Sequence, residues 1–413
     1  MTNTTSNTAE KLTARCCVVG GGPAGVVLGF LLARAGVDTI VLEKHGDFLR
    51  DFRGDTIHPS TLEVMHELGL LDEFLKRPHQ EYHQIALSFS GTTLRIGDFS
   101  HLPTHCKFVA LMPQWDFLNF MIESARRYST FRICLQHEVT DLLLEDGRIA
   151  GVTGKTPNGA FEVRADLTVG ADGRQSVVRE KAGLQIDDLG APMDVLWMRL
   201  PRRAGDPEIT LGHIQPGKMI VTINRGDYWQ CAWIIPKGAH EEVRRSGLPA
   251  FREAIASAAP FLAGRVAELR SWEDIKLLSV RVDRLRQWFR PGLLCIGDCA
   301  HAMSPVGGVG INLAIQDAVA AANILADPLS RADAGIEHLR AVQRRREFPT
   351  RITQAFQIEA HNRVVIPVLK KQLDFTKLPL ALRLLRDRPI FRRIPARVIG
   401  IGFRPEHVRS RVA

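Results

Sequence analysis

The chain predicts an α/β fold: a Rossmann-like domain with an inserted, mainly β domain and a C-terminal helical region. Three observations predict it. Glycine-rich strand–turn–helix junctions recur at residues 15–43, 167–176 and 292–326. Two intervening stretches, 79–106 and 191–280, alternate like strands, and residues 331–413 read as helices with Pro breaks. The 413 residues are 45% hydrophobic and 24% charged, an ordinary globular composition that excludes global disorder and fibrous chains.

At the first junction, Arg15 to Val19 reads as a short buried strand running into Gly20-Gly21-Gly22-Pro23-Ala24-Gly25. Ala24 to Ala35 then reads as a helix, and Asp38 to Leu42 as a second strand ending in Glu43. Gly20 allows the tight turn, Gly22 lets the backbone approach a pyrophosphate, and Gly25 lets helix and strand pack closely. The helix start at Pro23 and Ala24 offers free N–H groups and a positive dipole end to phosphates. Glu43 lies 18 residues after Gly25, where a carboxylate accepts ribose hydroxyls, and Lys44 follows it. The pattern specifies a dinucleotide cradle and leaves FAD and NAD both open.

The second junction is the apolar strand Leu167-Thr168-Val169-Gly170 followed by Ala171-Asp172-Gly173-Arg174-Gln175-Ser176 and a helix. In the third, a strand from Gly292 ends at Gly297-Asp298, then continues through Pro305-Val306-Gly307-Gly308-Val309-Gly310-Ile311-Asn312 into a helix reaching about Ala326. Asp298, at the end of a buried strand, can accept hydrogen bonds from polyol hydroxyls. The run Pro305 to Asn312 is nearly free of side chains, so its backbone can lie against a flat ring.

The stretches GGGPAG, GADGRQSVVR and GDCAHAMSPVGGVGINLAIQDA resemble the single-component flavoprotein aromatic hydroxylases typified by para-hydroxybenzoate hydroxylase. The resemblance covers most of residues 14–330. It implies non-covalent FAD, with Asp298 on the ribityl chain, Pro305 near the reactive flavin C4a, Gly308 and Gly310 along the ring, and the N–H groups of Ile311 and Asn312 facing the flavin C2 carbonyl. It places Arg53 at the pyrophosphate, Gln114 on the ribityl and phosphate region, and Asp172 in a motif serving FAD and NAD(P)H. Val139, expected to end a strand near 131–139, would offer its backbone to the adenine. His301 is expected to brace the turn after Asp298.

The FAD-binding domain is then expected at 14–78, 107–190 and 281–330. The substrate sheet falls at 79–106 and 191–280, and the helical region at 331–413. Met219 to Asn224 and Tyr228 to Ile235 read as a hairpin around Arg225-Gly226-Asp227. Thr222, Asn224 and Gln230 are its candidate substrate-pocket residues, with Trp197 and Arg199 on the preceding strand. The chain has only three tyrosines, Tyr82, Tyr128 and Tyr228, and none falls where a tyrosine relay for phenols is expected. A larger aromatic or polyketide-like substrate therefore fits better than a small hydroxybenzoate.

The implied cycle is reduction of FAD by NAD(P)H, reaction with O2 to a flavin C4a-hydroperoxide, and hydroxylation or epoxidation of the substrate. Three rivals share the fold. A flavin-dependent halogenase carries WxWxIP, matched only in part by Cys231-Ala232-Trp233-Ile234-Ile235-Pro236. The others are an oxygen-independent reductase of isoprenoid double bonds and a non-catalytic FAD-binding protein.

The net charge of +9 is concentrated: residues 381–413 hold nine Arg against Asp387 and Glu406. The rest of the chain is nearly neutral, which argues against a nucleic-acid-binding surface. Apolar and Arg residues mix in this tail. Its apolar side either packs on the FAD domain or meets a membrane surface or a second copy, in a monomer or dimer. The seven cysteines include no CxxC pair. They read as reduced thiols of a cytoplasmic protein, with no metal site.

Overall fold

The computed structural model describes residues 10–49, 56–89, 91–208, 211–372 and 380–413. Two sheets organise them. In the first, the strands Leu293–Cys295, Gly159–Gly170, Glu10–Val19, Thr39–Glu43 and Phe131–Leu135 lie side by side and parallel. Cys16, Cys17, Val18 and Val19 are buried at its centre, as a parallel strand covered on both faces requires. The helices Pro23–Arg34 and Gly310–Ser330 pack on this sheet and on each other. The segment Val306–Ser330 is long and apolar enough to cross a membrane, but 78% of its apolar window is buried, which makes it a core helix.

The central strand begins at Glu10, five residues before its expected start, because Glu10–Ala14 pair with Phe161–Ala165 on the long Gly159–Gly170 strand. The single strand expected near 131–139 is two. The chain turns at Gln136, which has φ 57°, and Val139 lies in the next strand, Glu138–Glu145, antiparallel to Arg148–Thr156.

The second sheet has seven strands in the order Lys276–Leu278, Met193–Pro201, Tyr228–Pro236, Lys218–Asn224, Leu211–Gln215, Gln84–Phe89 and Thr92–Asp98. Its outer face carries Leu196, Met198, Trp229, Cys231 and Trp233, covered by Phe251 and Ile255 of the helix Leu248–Ala258 and by Leu262. Its inner face carries Val195, Trp197, Val221, Ala232 and Ile234.

Past residue 330, Pro349 sits inside the continuous helix Ile336–Ala360 instead of breaking it. A π-helical turn, His361–Val365, follows. The short helices Leu380–Asp387 and Arg393–Gly400 pack on the strand Thr92–Asp98. Ala396 is buried against Phe99 and Leu102, while Leu384, Ile390, Phe391 and Ile394 remain exposed. The last residues form no helix. They make a strap tied by Glu406 to Arg345, by Val408 to Glu67 and by Ser410 to Asn323 and Arg34.

Candidate functional site

The ends of the parallel strands bring the three glycine-rich junctions together. Gly20 N–H donates to Leu42 O at 2.8 Å, and Ala171 N–H donates to Val19 O at 2.7 Å, which joins the first and second junctions. A Cβ at Gly25 would lie 2.0 Å from Gly20 O, so only glycine allows the helix this close to the turn. A Cβ at Gly22 would meet nothing within 4 Å, and Gly22 caps the Pro23–Arg34 helix without a side-chain hydrogen bond. Open space therefore stands in front of the N–H groups at Ala24 and Gly25, as a pyrophosphate needs. Glu43 accepts the Gly21 N–H at 3.0 Å and the His45 N–H at 3.0 Å, so its carboxylate is fixed beside the turn, with Lys44 exposed just beyond.

At the second junction Ser176 caps the short helix Val177–Lys181, accepting the Arg179 N–H at 2.9 Å. Asp172 accepts the Val178 N–H at 3.1 Å through Oδ2, while its buried Oδ1 has no partner among the described residues. Burial pushes the Asp172 pKa above the usual carboxylate range, against the hydrogen bonds it accepts. Arg174 carries no signal in the sequence beyond its place in the turn after Gly173. It reaches Asp298 at 3.2 Å and has a second buried nitrogen, Nη1, without a partner among the described residues. These orphaned polar atoms and the open space at Gly22 fit a polar, phosphate-bearing cofactor spanning the strand ends.

The third junction supplies the flat wall. Gly297 turns at φ 59° into Asp298, and Gly307 and Gly308 have φ 80° and 63°. A Cβ at Gly308 would lie 2.4 Å from Thr56 Oγ1, whose hydroxyl donates to Gly308 O at 2.9 Å. Gly310 begins the long helix, so the N–H groups of Gly310, Ile311 and Asn312 at its positive end are free of intrahelical bonds. The Asn312 side chain braces the loop: Oδ1 accepts from His58 N–H at 2.9 Å and Thr61 Oγ1 at 2.7 Å, and Nδ2 donates to Thr56 O at 3.1 Å. Gln114 opens the helix Gln114–Ala125, and Val139 is buried on its own strand. Arg53 lies outside the described residues.

Behind this wall, His301 Nε2 meets Asp317 Oδ2 at 2.5 Å, the Gly297 N–H donates to the same oxygen at 3.0 Å, and Arg346 Nε donates to Oδ1 at 2.9 Å. His301, Asp317 and Arg346 are at most 1% exposed. His301 is thus held as a brace of the turn around Asp298.

The hairpin forms between Lys218–Asn224 and Tyr228–Pro236, but its register separates the three residues expected on the substrate side. Thr222 lies opposite Cys231, Asn224 opposite Trp229, and Gln230 opposite Ile223. Directly opposed residues of an antiparallel pair share a face, so Thr222 and Asn224 stand on the outer face and Gln230 on the inner one. Thr222 Oγ1 is 3.4 Å from His213 Nε2, and Asn224 accepts the Gly226 N–H at 2.9 Å, holding the hairpin turn. Trp197, Arg199, Val221 and Ala232 share the Gln230 face, and Val221 and Val306 each pack against one apolar cluster. Arg225, a turn residue in the sequence pattern, donates through Nε to Gln230 Oε1 at 3.2 Å.

Comparison with known proteins gives the family. The family model for the FAD binding domain matches residues 13–356. The 6-methylpretetramide 4-monooxygenase of Streptomyces rimosus is 33% identical over 396 residues, covering 95% of this chain and 94% of that protein. The anhydrotetracycline hydroxylase OxyS of Streptomyces rimosus shares the fold with a TM-score of 0.73 at 21% identity, over 94% of this chain and 76% of that one. The p-nitrophenol 4-monooxygenase PnpA of Pseudomonas putida shares it with a TM-score of 0.72 at 22% identity, over 94% and 96%. The chain belongs to the FAD binding domain family of aromatic-hydroxylase type and is an FAD-dependent monooxygenase, an oxidoreductase.

Proposed function

We propose that this monooxygenase inserts one oxygen atom from O2 into a multi-ring aromatic, polyketide-like substrate, with NAD(P)H as the transient reductant of FAD. The observation that carries the reading is that two walls border one apolar cluster. On one side is the inner sheet face with Trp197, Val221, Gln230 and Ala232; on the other is Val306, next to Pro305 on the loop assigned to the flavin ring. The wall is apolar at Trp197, Val221 and Ala232 and polar around Gln230, where Arg199 lies directly opposite and Arg225 donates to its amide, which suits burial of a broad planar molecule whose oxygen substituents meet one polar end. The similarity to a monooxygenase named for 6-methylpretetramide points to the same substrate class.

Each part of the chain has a task in this reading. Gly20 to Gly25 and Glu43 hold the adenosine and pyrophosphate of FAD, Asp298 with Arg174 holds the ribityl chain, and Pro305 to Asn312 back the ring. Bound there, FAD supplies the redox chemistry and the activation of oxygen. The helix N-terminus at Gly310–Asn312 stabilises negative charge on the ring, and the sheet excludes water from the substrate. Gln230, oriented by Arg225, hydrogen-bonds a substrate carbonyl or hydroxyl.

A panel of polycyclic aromatic ketones and phenols, screened by stimulated NADH and NADPH oxidation with oxygen uptake and product mass, tests the reading. It expects substrate-dependent oxygen uptake and a product heavier by one oxygen atom. Anaerobic reduction of an added alkene, or bromide-dependent products, would replace it with one of the rival activities.

A further inference from the structure

The helix Ile336–Ala360 and the π turn after it carry a buried polar stripe: Gln343, Arg346, Thr350, Gln354, Gln357 and His361. These positions recur at three- and four-residue spacing, on one face of a helix. That face is turned toward the chain between residues 283 and 306. Gln343 clamps the backbone at Trp288 N–H (3.0 Å) and Arg286 O (3.0 Å), and Gln354 donates to Asp283 O (2.7 Å) and Ala302 O (3.2 Å).

Gln357 grips the chain on both sides of Pro305. Its Oε1 accepts the Ser304 N–H at 3.1 Å, and its Nε2 donates to Ser304 O at 2.9 Å and Val306 O at 3.0 Å. His361 completes the grip, with Nε2 2.8 Å from Ser304 Oγ, which also accepts the Val306 N–H at 3.2 Å. The π turn begins at His361, and such turns are rare and concentrate near functional sites.

Pro305 has no N–H of its own and the two glycines after Val306 supply no side chains, so the loop's internal bonds, Gly308 N–H to Pro305 O at 3.0 Å and Val306 N–H to Ser304 Oγ at 3.2 Å, shape the turn and leave its placement to contacts from outside. It is held from outside at two places: Thr56 and Asn312 hold Gly308, and Gln357 and His361 hold Ser304 and Val306.

We propose that Gln357, assisted by His361 through Ser304, is a positioning residue that sets how the Pro305 loop lies against the flavin ring. It thereby controls how tightly oxidation of the reductant is coupled to oxygenation. This rests on the reading that Pro305 to Asn312 back the ring. Without these hydrogen bonds the loop samples several positions and the ring environment opens to water. A merely structural role would change stability and leave the bound flavin as it was.

The test uses the purified full-length holoenzyme as wild type, Gln357→Met, Ser304→Ala and Pro305→Gly. Three quantities are read: FAD affinity by titration of the apoprotein, the visible circular dichroism of bound FAD, and hydrogen peroxide released during NADH or NADPH oxidation without substrate. Gln357→Met should keep FAD affinity within a few-fold, alter the visible dichroism, and raise peroxide release several-fold. Ser304→Ala should shift both in the same direction by less, and it decides the matter alone if Gln357→Met does not fold. Wild-type dichroism and peroxide release in these variants, with both altered in Pro305→Gly, would overturn the positioning role and leave the loop assignment standing. If Pro305→Gly also matches wild type, the loop does not face the flavin, and the underlying reading falls with it.

Discussion

The Asp317 carboxylate lies 2.5 Å from His301 Nε2, beneath the turn that presents Asp298, and neither residue is exposed by more than 1%. Burial alone would push the Asp317 pKa up. The charges of His301 and Arg346 and the hydrogen bonds they make outweigh it and hold Asp317 below the usual carboxylate range. Asp317→Asn removes the anion from between two buried partners. The expected cost is about 3–5 kcal/mol in urea unfolding, since one partner of a buried charge pair is left uncompensated. The folded-state pKa is depressed, so this stabilisation is complete above the usual carboxylate range and is lost only as pH falls through the folded value. An Asp317→Asn protein as stable as wild type at neutral pH would remove the network from any structural role.

Asp298 is predicted to hold the cofactor directly. Its carboxylate is partly open and paired with Arg174 at 3.2 Å. Asp298→Ala should weaken FAD binding at least tenfold, or ~1.4 kcal/mol, with most of the yellow colour lost on gel filtration. Full retention of flavin absorbance would show that Asp298 does not bind FAD.

The hairpin register makes an asymmetric prediction. Gln230→Leu, on the inner face, should alter substrate KM and product coupling with little change in Tm. Thr222→Val, on the outer face beside His213, should cost about 1 kcal/mol of stability, the worth of a typical hydrogen bond, and leave KM unchanged. The opposite pattern in steady-state kinetics would place the substrate on the other side of the sheet.

His58 links Asn312, in the first turn of the helix Gly310–Ser330, to the C-terminal helix Arg393–Gly400: Nδ1 lies 2.7 Å from Ile399 O, while the backbone N–H donates to Asn312 Oδ1. Burial lowers its pKa from 6.5 to about 4, against the opposing effect of the Ile399 hydrogen bond. The unfolded chain therefore takes up a proton near pH 6.5 that the folded chain refuses until about pH 4. Stability should fall as pH drops across this window, by roughly 3 kcal/mol in all. His58→Gln keeps a donor for Ile399 O and should flatten that part of the Tm–pH curve. An unchanged slope would exclude His58 as its source.

The flavin half of the molecule was legible because it is written in local chemistry. A glycine that admits a phosphate, an acid that ends a buried strand and a helix that opens on free N–H groups lie within a few residues of one another. The Gln357 stripe was not legible. Glutamine, arginine and threonine at helical spacing on a polar helix read as a solvated face, and only the chain packed against them makes them an interior ladder. Their one signal was three glutamines, at 343, 354 and 357, sharing a face with His361.

The sequence by itself determined the FAD cofactor and the Rossmann-like topology, because the backbone conformations and phosphate chemistry involved tolerate few residue types. Tertiary structure decided which face of the Lys218–Asn224 strand looks inward. A single residue of register moves Thr222 from one side of a sheet to the other, and register depends on partners far away in the chain. It also decided the fate of the basic C-terminus. Glu406 draws in Arg345 and Arg346 and the last residues strap the helices together, while Ile390, Phe391 and Ile394 stay exposed. Charge and hydropathy along a line could not separate these outcomes, because each depends on which surface the chain meets when it folds back.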